Sequence, residues 1–326
     1  MYIEELRFSL WADFIERDYL DNGFRELIDK KIVNGATSNP AIFKNAILNS
    51  SAYKEQLLGL DGLSPKEKYE AVAIYDIQKA ADILKPLYDS GDDGYVSIEV
   101  DPFLCDDAKA TIDEGKRLFK TIGRENVMIK VPATKAGYEA MRELVANNIP
   151  VNATLVFSKE QALSCAKAFA DGLKSCAKKV DTVISVFVSR IDRAIDKELI
   201  KNDITPALSG IYNSASIYDM VEKMKIDGCR VLFASTGVKD DSLPPYYYVK
   251  ELLAYNSVNT APIDTIEAFC ESGYKEGALP ISQDVIDEHF KKIKSVGIDF
   301  EKLVEKQILD GLDAFKDAFK DILESL

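Results

Sequence analysis

Short apolar runs alternate along this chain with longer stretches in which apolar residues recur every three or four positions. Residues 8–14, 32–38, 95–100, 127–131, 151–157, 182–188, 230–235 and 257–260 read as short strands bounded by turn-forming residues. The intervening pattern is helical. A polar helix is expected over residues 17–31 and another over residues 106–122. Ser64-Pro-Lys-Glu67 is a capping box with proline at the first helical position, opening a helix that runs to about residue 89. Ser158-Lys-Glu-Gln161 is a second capping box. At the end of the chain, Phe300, Leu303, Val304, Ile308, Leu312, Phe315, Phe319 and Ile322 fall at helical spacing.

Strands followed by helices, with short connections and no break in composition, predict one parallel α/β domain spanning residues 1–326. Eight such strands fit a closed (β/α)8 TIM-type barrel better than an open doubly wound sheet. The tail is expected as an extra C-terminal helix closing over the barrel. The same amphipathic face would suit a neighbouring copy, so a homodimer stays open.

Composition narrows the function more by exclusion than by suggestion. With 47% apolar and 29% charged residues, the 326-residue chain has ample material for one large core. A net charge of -13 argues against a nucleic-acid partner, although a few placed cations can still hold one phosphate. The five cysteines (Cys105, Cys165, Cys176, Cys229 and Cys270) form no CxxC pair and fit neither a disulfide framework nor a zinc site. The start of the chain lacks the layout of a signal peptide, and no apolar run is long enough to span a membrane. A reducing cytoplasm is the expected setting, with no membrane partner. The single histidine, His289, lies in a polar helical stretch where a solvated surface position is expected. Histidine-based nucleophile triads and multi-histidine metal sites are thereby set aside, so no metal is expected. No Gly-rich nucleotide fingerprint is present, and no cofactor is expected.

Proton transfer must then fall to carboxylates, lysine, tyrosine or water. The stretch Val127-Met-Ile-Lys-Val131 places Lys130 and Met128 on one strand face, opposite Val127, Ile129 and Val131. At a reference pKa near 10.4 only about one lysine in 2,500 is the free amine at pH 7, and desolvation raises that fraction roughly tenfold per unit. A buried Lys130 would thus be a Schiff-base former; a packed stem with its head in water is the plainer alternative.

In a barrel the active site lies at the carboxyl ends of the strands, and polar residues collect there on one face. Trp11 pairs with Asp13, Thr37 with Asn39, Ser97 with Glu99, Asn152 with Thr154 and Ser185 with Phe187, while Ser235 ends the seventh strand. Taken singly, Asp13 could cap a helix, Asn39 could brace the turn before Pro40, and Thr154 is a good strand former. With Lys130 they would line one pocket suited to carbonyl chemistry through an imine. Arg190, Ser235 and Lys239 form a second group of a kind that late βα-loops use to hold phosphate. An ion pair of Arg190 with Asp192 or Asp240 is the alternative.

These motifs are specific. Ser9-Leu-Trp-Ala-Asp13 with Arg17-Asp18, Gly35-Ala-Thr-Ser-Asn-Pro-Ala-Ile-Phe43, Ser97-Ile-Glu-Val-Asp101, Ile129-Lys-Val-Pro-Ala-Thr134, Asn152-Ala-Thr-Leu-Val-Phe-Ser158 and Ser185-Val-Phe-Val-Ser-Arg190 resemble those of the transaldolases, in their longer bacterial branch. The resemblance implies a (β/α)8 barrel in which Lys130 forms a Schiff base with a ketose phosphate. It further implies that Glu99 holds a catalytic water with help from Thr154, and that Asp13 takes and returns a sugar hydroxyl proton. Asn39, Asn152 and Ser185 would position a dihydroxyacetone unit, with Phe187 beside them. Arg190 and Ser235 would bind the phosphate of a sugar-phosphate substrate. Many relatives carry an arginine two residues after the serine of strand seven; Gly237 stands here instead, and Lys239 is expected to substitute.

Overall fold

The computed structural model describes residues 1–239 and 242–326. Among the described residues, eight parallel strands close into a barrel in sequence order. They are β1 (Ser9–Ala12), β2 (Gly35–Thr37), β3 (Tyr95–Glu99), β4 (Val127–Pro132), β5 (Val151–Val156), β6 (Thr182–Phe187), β7 (Cys229–Ala234) and β8 (Val258–Ala261). All eight expected strands form, each within a few residues of its predicted ends, and the TIM-type barrel stands as read from the pattern.

The predicted signals also set the helices. Both capping boxes are made: Ser64 opens Pro65–Ser90, and Ser158 opens Lys159–Leu173. Each carries reciprocal bonds that satisfy otherwise orphaned backbone N–H groups. The segment expected as one helix over residues 17–31 is two, Arg17–Asp21 and Gly23–Asp29. The break falls at Asn22, whose φ of -120° and ψ of -93° are not helical, and the second helix starts at Gly23, against which the Tyr19 ring packs too closely for a Cβ (2.5 Å).

Two apolar layers hold the architecture. Val127, Ile129 and Val131 face outward into the layer between sheet and helices, while Met128 joins Trp11, Tyr95, Val183, Leu232 and Val258 inside the barrel. Glycine is required at Gly35, because a Cβ there would sit 2.6 Å from the Trp11 indole that fills the bore. One strand departs from simple alternation. The register of β5 against β6 shifts between Ala153 and Val156, and Leu155 takes φ 57°, which turns its side chain into the inner cluster.

His289 overturns the expected surface position. It is buried on the helix Gln283–Ser295, sharing a face with Ile286 and Ile293. That face packs on the helix Ser209–Met224, where His289 Nε2 lies 2.9 Å from the Ser209 hydroxyl. A polar-looking helix still buries one stripe when a neighbour covers it. Desolvation there lowers the imidazole's proton affinity.

The C-terminal helix Phe300–Ser325 lies over the carboxyl-end mouth of its own barrel, against the helix Pro40–Asn49. Among the described residues no helix is long and apolar enough to cross a membrane.

Candidate active site

Lys130 sits in the middle of β4, and in-register pairing brings it beside Glu99 of β3 and Asn152 of β5. Its residue is 5% exposed, so the head does not reach bulk water. The ammonium nitrogen donates to the Ser38 carbonyl at 3.1 Å and lies 3.9 Å from Glu99 Oε2. The alternative of a snorkelling lysine is therefore not what the barrel builds.

The carboxylates around it are under-solvated. Burial pushes the Glu99 carboxyl up to about 7, against the pull of the nearby Lys130 and Arg190 cations; Asp13 adds to the rise. Glu99 Oε2 and Thr154 Oγ1 are buried without a hydrogen-bond partner in the protein. Pairing of Pro132 with Thr154 sets that hydroxyl two residues beyond Lys130 on the neighbouring strand. Asp13, just past β1, also has its carboxyl raised by burial, partly offset by the Lys130 charge and by a 2.7 Å hydrogen bond from the Thr37 hydroxyl. It does not cap a helix; Thr37 holds it, and Thr260 lies 2.6 Å from the same hydroxyl.

The amides are oriented by neighbours. Asn152 donates to Ser97 Oγ at 3.1 Å and accepts from the Ser185 hydroxyl at 2.6 Å, so its rotamer is set from both sides. Asn39 caps the helix Pro40–Asn49 by accepting from the Ile42 N–H at 3.0 Å, which realises its structural alternative and anchors it at the mouth. Phe187 stacks near Phe157 at 5.3 Å, and the Arg190 guanidinium lies 5.1 Å from the Phe187 ring centre.

Arg190 stands in the first turn of the helix Ser189–Lys201, whose amino end carries a positive dipole. Burial and the neighbouring Arg193 charge lower its proton affinity. Asp192 is not its partner: that carboxylate is buried and accepts from the Gly210 N–H at 2.8 Å. Asp240 lies outside the described residues. Ser235 takes φ 55°, and its hydroxyl lies 3.1 Å from that of Ser189, bringing β7's end to the same helix start. Lys239 is exposed on the connection that follows Ser235.

Two participants escaped the sequence reading. Phe315, on the C-terminal helix, places its ring centre 6.0 Å from the Lys130 nitrogen. Thr260 joins the Asp13 network from β8. Strand alternation could have flagged Thr260, whose face is that of Val258; nothing local marks Phe315 as different from the other apolar residues of its stripe. Among the described residues no group of three or more His, Cys, Asp or Glu side chains is placed to hold a metal. The assembled chemistry is an amine shielded from water, a carboxyl that titrates near neutrality beside it, and a second carboxyl on a hydroxyl relay. Such a set can form an imine and move protons around it.

Comparison with known proteins agrees with this geometry. The family described as Transaldolase/Fructose-6-phosphate aldolase matches residues 10–326. A protein named transaldolase from Campylobacter jejuni subsp. doylei is 48% identical, covering 98% of this chain and 99% of its own. One of the same name from Helicobacter pylori (strain Shi470) is 46% identical over the same shares. On a match that runs nearly from end to end, the chain belongs to the transaldolase/fructose-6-phosphate aldolase family.

Proposed function

We infer that this chain is a transaldolase, a transferase that carries a dihydroxyacetone unit between sugar phosphates through an imine on Lys130, with residues 1–326 working as one unit. The observation that carries the reading is a 5% exposed lysine with a near-neutral carboxyl 3.9 Å away.

The neutral amine attacks the ketone of fructose 6-phosphate or sedoheptulose 7-phosphate. The resulting carbinolamine must lose water, which needs a proton donor. Glu99, with its carboxyl raised to about 7, is half protonated at neutrality and can both donate and accept, with Thr154 assisting. Asp13 then removes the hydroxyl proton so that the carbon–carbon bond breaks and an aldose phosphate leaves. The imine takes up the electron pair as an enamine, so the cleavage needs no added electron sink. The enamine adds to the carbonyl of erythrose 4-phosphate or glyceraldehyde 3-phosphate, Asp13 returns its proton, and water frees the new ketose. Asn152, Ser185 and Asn39 orient the three-carbon unit, with Phe187 along the wall. Arg190 and Ser235 hold the phosphate at the helix start; a guanidinium and an N-terminal dipole suit that anion. The reaction belongs to the pentose phosphate pathway, and we place it in the cytoplasm.

Borohydride added with fructose 6-phosphate should leave a reduced adduct on Lys130, read by peptide mass. An unlabelled Lys130, or full activity in a Lys130→Ala variant, defeats the mechanism.

A further inference from the structure

The C-terminal helix Phe300–Ser325 crosses the barrel mouth, and four contacts set its path. At Gly311 a Cβ would stand 2.9 Å from Leu155 Cδ2 and 3.4 Å from Arg190 Nη1, so only a glycine lets the helix lie this deep. Leu155 cannot easily yield, being fully buried on the irregular turn of β5. One helical turn later, Phe315 sets its ring 6.0 Å from Lys130 Nζ. A turn further, Phe319 packs edge-on to Tyr69 at 5.1 Å. Asp321 then pairs with Lys44 at 2.5 Å on the far rim.

We propose that Phe315, held at this depth by Gly311, decides whether the three-carbon enamine on Lys130 is transferred or lost to water. The inference rests on the Schiff-base reading above. Once the aldose phosphate has left, the enamine carbon has two fates. In transfer it bonds to the carbonyl carbon of an acceptor aldose, whose oxygen takes the proton held by Asp13. In loss the same carbon takes a proton instead; water then adds to the imine, and dihydroxyacetone departs, restoring the Lys130 amine. Both fates end with water at the imine carbon; loss alone needs a mobile proton donor, which water can be, above the enamine carbon. A buried phenyl ring supplies no such proton, and it stands 6.0 Å from the Lys130 nitrogen. Removing the ring would open a cavity toward Lys130, whose nitrogen has Glu99 and the Ser38 carbonyl as neighbours, and a cavity with several polar partners takes up water where an apolar one stays dry. A ring that served packing alone would slow both fates together when removed. A ring that excludes water separates them.

The test is a partition ratio. Fructose 6-phosphate is supplied as donor, and dihydroxyacetone release without acceptor is compared with sedoheptulose 7-phosphate formed on adding erythrose 4-phosphate. Phe315→Ala should raise release relative to transfer about tenfold or more, a change of ~1.4 kcal/mol between the two barriers. Phe315→Leu, which keeps apolar bulk, should raise it less. Gly311→Ala lifts the helix without altering the ring and should raise it too; this variant decides the matter if Phe315→Ala does not fold. A ratio unchanged in Phe315→Ala, or in Gly311→Ala where that variant decides, overturns the proposal. Borohydride trapping is run on every preparation. Wild-type enzyme that traps no adduct brings down the functional reading and this inference with it, whereas trapping with an unchanged ratio removes the inference alone.

Discussion

The two ends of the barrel bore are built from the same strands and treat charge in opposite ways. At the amino-terminal end Arg230 donates to Asp93 at 2.7 Å, the Trp11 indole donates to the other Asp93 oxygen at 2.9 Å, and the Tyr95 hydroxyl lies 3.0 Å from Asp181. Each of these three charges, Arg230, Asp93 and Asp181, has a partner in hydrogen-bonding contact. Inside the carboxyl end Lys130 and Glu99 stay 3.9 Å apart, and Glu99 Oε2 and Thr154 Oγ1 have no protein partner. β1 leads from Trp11 at one end to Asp13 at the other, and β3 from Tyr95 to Glu99, within five residues or fewer. A fully paired buried charge is locked in one protonation state and one rotamer, and serves as structure. An incompletely paired one retains affinity for protons and ligands, and that surplus is what a catalytic site uses.

This contrast can be broken by experiment, and the largest effect belongs at the carboxyl end. Replacing both Lys130 and Glu99 with shape-matched neutral residues, Lys130→Met with Glu99→Gln, should abolish transfer by a factor of ~10⁴ or more. The folded state should lose nothing and gain up to ~3 kcal/mol, because a loosely paired buried pair does not offset its own desolvation. Parallel activity assays and thermal melts check this; a markedly lowered Tm would mean that the pair is structural after all. Next in size is the mirror experiment. Asp93→Ala strands Arg230 and should cost about 3–5 kcal/mol of stability while leaving kcat of the remaining folded enzyme near its original value. Denaturant melts with activity per folded molecule measure both, and a catalytic loss without destabilisation would erase the distinction between the ends. Smallest is the phosphate contact at the rim. Arg190→Ala should raise KM for phosphorylated donors about 10- to 100-fold, the worth of a charged hydrogen bond, and hardly change it for unphosphorylated dihydroxyacetone donors. Equal losses on both substrates would assign Arg190 to the fold.

Much of this arrangement is legible in the chain. The period-2 faces correctly sorted Met128 and Lys130 inward and Val127, Ile129 and Val131 outward. The same rule placed Glu99, Asn152, Thr154 and Ser185 along one bore, because a closed parallel sheet has one inside. It failed at Leu155, where the bulge in β5 turns inward a residue that alternation points outward. It failed differently at His289, whose polar surroundings in sequence concealed the helix that covers it.

The sequence alone determined the strands, the capped helices, the barrel and the inward face on which Lys130 lies, since these follow from side-chain period, turn chemistry and residue type, which act over a few positions. Only the tertiary structure decided how far that amine lies from Glu99, that burial raises the Glu99 and Asp13 carboxyls, and that Phe315 of a helix almost two hundred residues downstream stands over it. Those quantities depend on barrel closure and on the path of a distant helix. Both are set by packing between residues remote in the chain, and no local pattern encodes them.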